Sequence, residues 1–534
     1  MTEAVAPPIV AEEAEGGNPR LALLLAMAMF VLVVDTSIMN VSISAIVNEL
    51  GLTVSGVQSA IALEALVSAA FILIGSKVAD LIGRKLAYSL GLVAYAVGAI
   101  SMTLAQSLLP IVIFWAIIGG LGASLLLPSM QSLIHGNFEG KAQARVYAMV
   151  GASAAIAAAI GPLIGGFITT FLSWRLAFLG EAVIIGVVLL GLGLVRDVPY
   201  TGSRAIDIVG GILSVLGMGG IVLSILAWQE GGEYVLGLLV VGAVALGLFA
   251  TWLVRRKRAG KPSLIDPDLF RSALFRLGIS GQMLQQISLG GLMIVLPIYL
   301  QMVFEYNALE AGLSIAPLSL SMFVVALAMG RRAGRQRPAT VIGMGFGLLL
   351  VGVVSILPIV PRAEAGWQLA LSLIVAGTGL GMLVSQLNNY TLSPISEERV
   401  SEAAGVNSAG GSFGLSFGLA FAGAIMLAAL ATSFTNLSNA STVLAPEDKQ
   451  QVATVLEEDA QIMSNTALTQ QIADEPADVQ AEVIRINTEA RHLALQIALL
   501  VPLIAAALGF AVSFLMRRQP DPQPSSAAEM VLGG

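Results

Sequence analysis

Three carboxylates stand inside stretches too apolar to welcome them. Asp35 lies in "LLLAMAMFVLVVDTSIMNVSISAI" (23–46), Glu64 in "AIALEALVSAAFILIG" (60–75) and Glu181 in "WRLAFLGEAVIIGVVLL" (174–190). A charge held at the centre of a bilayer costs about 2.5–3.5 kcal/mol on insertion scales, so such acids are retained for function or tightly partnered. Low-dielectric surroundings and a second nearby carboxylate both favour the protonated form of an acid. Acids placed this way can load a proton on one side and release it on the other, or exchange it for a cationic molecule.

Other chemistries have no residues to carry them. The chain has no cysteine, and its two histidines, His135 and His492, lie far apart near the edges of apolar stretches. Thiolate nucleophiles, disulfides and a Cys/His metal site are therefore not expected, and no cofactor is implied. No G-x-x-x-x-G-K-[ST] phosphate loop occurs, so nothing supports ATP drive. The reading is not an enzyme.

The elements that must position the acids are transmembrane helices. Of 534 residues 56% are hydrophobic and 11% charged, against about a quarter charged in soluble domains. Apolar runs near twenty residues recur along the chain, continuous rather than alternating, which excludes a transmembrane β-barrel. The expected fold class is an all-α membrane protein with fourteen transmembrane helices. Spans fall near 21–48, 56–75, 86–106, 108–134, 145–170 and 175–195, then 206–228 and 235–254. Six more fall near 276–303, 308–330, 338–358, 367–392, 403–432 and 491–516. The expected organisation is a cytoplasmic disordered tail (1–20), a six-helix bundle (21–195), an inserted helix pair (206–254), a second six-helix bundle (276–516) and a cytoplasmic tail (517–534). The acidic tail at Met1–Pro19 lacks a basic n-region and does not read as a signal peptide.

Orientation follows from lysine and arginine. With both termini inside, 22 of the 27 basic residues fall on the inner face, and Arg175, Arg362, Lys449, Arg485 and Arg491 fall outside. That asymmetry predicts the N-in, C-in topology. The one long outer connection, 433–490, is acidic and has helical spacing in "PEDKQQVATVLEEDAQIM" (446–463). A small helical hairpin over the outer mouth is expected there. The basic run "RRKRAGKP" (255–262) closes the inserted pair and suits anionic lipid heads rather than nucleic acid. Asp207, at the pair's inner edge, is expected to be interfacial.

Depth along each span follows from 1.5 Å per residue. Asp35 sits roughly 21 Å above the inner end of the first span, and Glu64 and Glu181 roughly 12 Å and 9 Å below the outer starts of theirs. The three acids thus occupy one layer in the outer half of the first bundle. Arg175, six residues before Glu181, is the expected partner of that acid. The second bundle carries amides instead: Gln282, Gln285 and Gln286, then Gln386, Asn388 and Asn389, then Asn407. Either these amides bond between helices or they line a polar cavity with Asn40, Tyr299 and Trp115. Aromatics make up only 6%, which favours an aliphatic or amphipathic cargo over flat aromatic cations.

Four stretches, in order, resemble the major facilitator superfamily and within it the fourteen-helix drug–proton antiporters. "GSKVADLIGRK" (75–85) resembles the inside-loop signature G-x-L-a-D-r-x-G-r-k, matching Gly75, Asp80, Gly83, Arg84 and Lys85. "GASAAIAAAIGPLIGG" (151–166) looks like the fifth-helix antiporter motif, matching Gly151, Gly161, Pro162, Gly165 and Gly166. "VDTSIMNVSI" (34–43) and "LPIYLQMVFEYNALEAGLSIAP" (296–317) are similar to first-helix and ninth-to-tenth-helix stretches of that subfamily. The resemblance implies an alternating-access fold of six, two and six helices, and a multi-pass plasma-membrane protein expected to act as a monomer. It implies efflux of amphipathic or cationic small molecules, lipids being further partners, with Asp35 coupling proton entry. Asp80 would latch the inner mouth against Arg84 or Lys85. Three positions depart from the pattern: Lys77, Leu81 and, in "FWAIIGGLGAS", Ala116 where the family's fourth helix has an arginine. Similarly, "GRRAGRQRP" (330–338) lacks the aspartate of its counterpart. The missing arginine keeps a second reading open, an exporter of lipids or other amphiphiles with weak or no proton coupling. A non-transporting receptor would need a soluble domain, and no segment supplies one.

Overall fold

The computed structural model describes residues 18–138, 140–197, 207–229, 232, 234–330, 336–395, 399–446, 449, 450, 452, 456 and 465–520. Fourteen helices are long and apolar enough to cross a membrane. The first six are α1 (Pro19–Leu50), α2 (Val54–Ile82), α3 (Arg84–Leu104), α4 (Leu108–Ile134), α5 (Arg145–Phe171) and α6 (Trp174–Leu194). Next come α7 (Ile208–Gln229) and α8 (Val235–Arg258), then α9 (Ala273–Val303), α10 (Ala308–Met329) and α11 (Pro338–Arg362). Last are α12 (Gly366–Leu392), α13 (Glu402–Ala440) and α14 (Ala477–Arg517).

Helix boundaries have local causes. Asn18 caps α1 by accepting from the Arg20 N–H (3.0 Å), and Thr53 caps α2 by accepting from Gly56 (3.1 Å). Ser173 and Ser272 do the same for α6 and α9. Each oxygen satisfies one amide that the first helical turn leaves unpaired. Gly51, left-handed at φ 63°, ends α1 and permits the tight reversal into α2. The α1–α2 and α2–α3 turns define the two ends of the bundle, called here the Gly51 end and the Gly83 end.

The halves meet most closely at the Gly51 end. There α5 crosses α10 with no room for side chains: a Cβ on Gly166 would lie 2.6 Å from the Ala308 carbonyl oxygen. One on Gly312 would lie 2.4 Å from the Pro162 carbonyl oxygen. Thr170 of α5 donates to Asn307 (3.3 Å) and accepts from the Leu309 N–H (3.0 Å). Small residues let the backbones approach, and dispersion and these hydrogen bonds supply the attraction that hydrophobicity cannot supply in lipid.

One expectation about the edges changes. The last span starts earlier than 491: helix runs over Ala477–Ala498 and, after a break at Leu499, over Leu500–Arg517. The long connection is correspondingly shorter. It contains a helix at Asn465–Gln471, whose Thr466 donates its N–H to Glu305 (2.8 Å). Acids 447, 448 and 457–459 of the expected hairpin lie outside the described residues, as do 331–335 of the basic run after α10. Asp207, at the start of α7, is enclosed by protein. It is 3% exposed and accepts from the Gly210 N–H (3.0 Å), the Trp252 indole (2.9 Å) and the Leu264 N–H (3.2 Å), with Arg256 3.6 Å away. An aspartate capping α7 gathers every nearby donor, which draws it inward.

Candidate functional site

Asp35, on α1, is 1% exposed. Its carboxylate accepts from the Tyr95 hydroxyl of α3 (2.7 Å) and from the Trp115 indole N–H of α4 (3.1 and 3.2 Å to the two oxygens). Glu181 of α6 is 2% exposed, and neither of its oxygens accepts a hydrogen bond from an N–H or O–H donor. Its carboxyl lies close enough to that of Asp35 for the two to interact. Glu64 of α2 is half-buried and within electrostatic reach of both Asp35 and Tyr95. Tyr95 donates to Asp35 and lies within electrostatic reach of the other two acids. No ion pair among the described residues includes any of the three.

Local backbone geometry puts the two donors there. Residues Ile111–Gly119 of α4 form a π-helical stretch rather than an α-helical one, with Trp115 at its centre. Widened turns of this kind reset which side chains face inward and recur at functional sites. Gly98, three residues after Tyr95 on α3, lets α4 approach: a Cβ there would sit 3.1 Å from the Phe114 oxygen and 3.3 Å from the Trp115 Cα. Ala116 is completely buried, so the position lacking the family arginine is filled by packing.

Arg175 does not partner Glu181. It binds Glu49 at the end of α1 (3.0 Å) and donates to the Thr103 and Ala105 carbonyl oxygens (3.1 and 2.6 Å). Trp174 donates to the same Glu49 (2.6 Å). Orphan carbonyls at the end of α3 are the stronger attraction for a guanidinium with five donors. Glu49 and Tyr95 are the residues that sequence reasoning missed. A phenol deep in a span needs an acceptor, and that signal was available for Tyr95.

At the Gly83 end, Asp80 pairs with Arg84 at 3.5 Å, both groups partly exposed. Lys85 does not reach Asp80: its ammonium donates to the Val195 carbonyl (2.8 Å) and its N–H to Asp197 (3.1 Å). Asp197, just beyond α6, thus supplies the cap that Gly83 cannot, at the positive end of α3. Gly83 has φ 97°, and a Cβ there would meet Asp197 at 2.9 Å. A Cβ on Gly75 would strike the Ser124 oxygen of α4 at 2.6 Å. In the fifth-helix motif, Gly161 and Gly165 face Ser37 and Ile38 of α1, and Gly166 faces α10, whereas a Cβ on Gly151 would meet open space. Pro162 is accommodated without breaking the helix.

The amides of the second half divide. Gln285 and Gln386 are buried, and Gln282, Gln286 and Asn389 are half-buried. Gln282 and Gln286 face Gly411 of α13, and the Gln286 oxygen is buried without a donor. Asn407 donates to Asn388 (3.1 Å). Asn40 donates to the Thr36 carbonyl within α1 (2.9 Å). Tyr299 stands apart from these at the Gly51 end, donating to the Val360 carbonyl (3.2 Å) with its ring against Phe304 and His492. The void it borders with Met302, Met426 and Arg491 holds about 30 Å³ and touches none of the three acids.

Fourteen spans in two packed halves, with buried carboxyls in the first, define a membrane transporter. The chain belongs to the Major Facilitator Superfamily, whose family model matches residues 25–419. It is 25% identical over 392 residues to the "Probable actinorhodin transporter" of Streptomyces coelicolor, covering 70% of this chain and 66%, just under two thirds, of that protein. It is 27% identical over 414 residues to "Multidrug resistance protein Stp" of Mycobacterium tuberculosis, covering 76% and 75%. Among solved structures, a bacterial homolog of the human lysosomal transporter Spinster, crystallised inward-facing and unoccupied, aligns with TM-score 0.62. At 15% identity, over 94% of this chain and 98% of that one, it speaks for the fold alone.

Proposed function

We propose that this transporter exports hydrophobic or cationic small molecules across the plasma membrane in exchange for protons. The supporting observation is the Asp35–Glu181 pair, two buried carboxyls in mutual reach with no cation paired to either. Such a pair holds one proton readily and two charges poorly. Tyr95 and Trp115 stabilise whichever charge remains on Asp35, and half-buried Glu64 relays protons to the cluster. A cationic cargo and a proton then compete for the same negative charge, which is what exchange requires. Topology with both termini inside would place the Gly51 end outward, so the tight α5–α10 crossing corresponds to a closed outer gate. Alternating access would rock the halves about this region. The names of the relatives, an actinorhodin transporter and a multidrug resistance protein, favour cargo of this class.

The test is substrate-induced proton release in proteoliposomes, followed with a pH dye, comparing the native chain with Asp35→Asn. Release in the first and none in the second is expected. Equal release in both would remove Asp35 from coupling. Transport without release in either would favour the uncoupled amphiphile exporter, the reading that Ala116 keeps open.

A further inference from the structure

The two halves share two lengthwise seams, α5 against α10 and α2 against α13, and the seams are unlike. Towards the Gly83 end of the α5–α10 seam, every residue from Gly151 to Ile156 is at least partly exposed. On α10 the same holds from Leu320 to Met329. Neither stretch holds a fully buried residue, as expected where two helices have drawn apart at this depth, while α10 still packs on α12 through Met322–Ala326 against Gly381. The same depth of the α2–α13 seam is filled: Ile72 and Leu73 of α2 pack with Ala403 and Val406 of α13. Leu253 of α8 and Ile265 of the following linker belong to the same cluster.

The inserted pair covers that filled seam along its length. Near the Gly51 end, Gln229 of α7 touches both halves at once, donating to the Ala420 carbonyl of α13 (2.8 Å) and accepting from Ser59 of α2 (3.4 Å). Towards the Gly83 end, a Cβ on Gly211 of α7 would contact Ile74 of α2 at 3.2 Å. Helix α8 closes over α7 through Gly220 and Gly242, where a Cβ would lie 2.6 Å from the facing backbone. The other side of α8 is apolar and exposed, Val240, Val244 and Leu248 each by more than half.

We propose that cargo enters from within the bilayer through one side opening only, between the inner halves of α5 and α10, because α7 and α8 seal the opposite seam. The opening's rim, Gly151–Ile156 against Leu320–Met329, consists of apolar residues and small serines with no charge. A rim of this kind passes a membrane-dissolved amphipathic cation and repels a hydrated polar solute. The acids lie deeper, so cargo would reach its counter-charge only after leaving lipid. This inference rests on the export reading for its cargo.

The chain has no cysteine, so single cysteines report without background. Ala155→Cys and Ala326→Cys on the open seam, and Ala409→Cys on the sealed one, are placed in nanodiscs and reacted with N-phenylmaleimide. Binding of tetraphenylphosphonium is then followed in time and at equilibrium. Labelled Ala155→Cys or Ala326→Cys should take up the cation about tenfold more slowly with its affinity unchanged, because a blocked path slows entry and exit alike. Ala409→Cys should resist labelling. Unchanged uptake after labelling at both open-seam positions, or ready labelling of Ala409→Cys in the folded protein, would overturn the single opening. These readouts need binding and no proton flux, so lost proton exchange with slowed binding would sink only the export reading. Failure of the native chain to bind the cation would count against both.

Discussion

The first six helices and the last six solve the same packing problem with different polar groups. The first set buries amides too, Asn40 and Gln58, but among the described residues it alone of the two buries carboxylates inside its spans, Asp35 held by two neutral donors and no cation. The last set uses amides on α9, α12 and α13, which partner one another or remain unpaired, as Asn407 with Asn388 and Gln286 alone. Its one buried arginine among the described residues, Arg491, lies near the Gly51 end and donates to Asn487 (3.0 Å). An amide cannot change charge within the physiological range, whereas a carboxyl pair can. On the exchange reading proposed above, the difference would give charge exchange to one half and neutral polar contact to the other.

The largest effect is expected from the acids. Asp35→Asn or Glu181→Gln should abolish proton release coupled to substrate, while Gln285→Leu in the other half leaves release per substrate unchanged. Measured in proteoliposomes, a loss of release in Gln285→Leu as deep as that in Asp35→Asn would erase the division. Second in size are the donors. Tyr95→Phe and Trp115→Phe each remove one hydrogen bond to a charged acceptor, worth about 1.5–3 kcal/mol. Exchange should therefore slow by roughly tenfold or more in each. The double variant should add less than the two singly, because both act on Asp35. Full additivity would show that they act at separate sites.

A smaller effect is expected at the Gly83 end. Asp197→Ala removes the carboxylate that caps α3 from the far side of the first half, a loss of about 1 kcal/mol. Thermal unfolding should report that loss, with proton release per substrate unaltered. Asp80→Asn removes a 3.5 Å pair with partly exposed partners and should cost at most about 1 kcal/mol. If Asp80→Asn stops transport while Asp197→Ala does not, the latch belongs to Asp80 and the cap is only structural.

Periodicity and length made the fourteen spans legible, because a bilayer leaves the backbone no alternative to continuous helix. The acids were legible as candidates too, since a carboxylate inside an apolar span stands out by composition. What escaped was set by contacts between elements distant in sequence. Glu49 takes Arg175 across 126 positions, and Asp197 caps a helix that starts more than a hundred residues earlier. The π-helical stretch at Ile111–Gly119 left no mark in "IVIFWAIIG", because all nine residues are apolar or glycine and suit either winding. The asymmetry of the two seams depends on where α7 and α8 lie, and an inserted pair carries no address in its own composition.

The smallest predicted effect is the most discriminating. The Gln286 oxygen is buried without a donor, and the side chain lies half-exposed against Gly411. An unpaired buried acceptor costs about 1–3 kcal/mol, so Gln286→Leu should hold or raise thermal stability. A purely interhelical amide would give that result with unchanged transport. An amide that contacts cargo would give it with a raised KM, by roughly threefold, and the same proton release per molecule moved. Measuring stability, KM and release together separates the two roles. A fall in release would mean that an uncharged residue in the second half takes part in proton handling, and the acids would then share a task that the division gives to them alone.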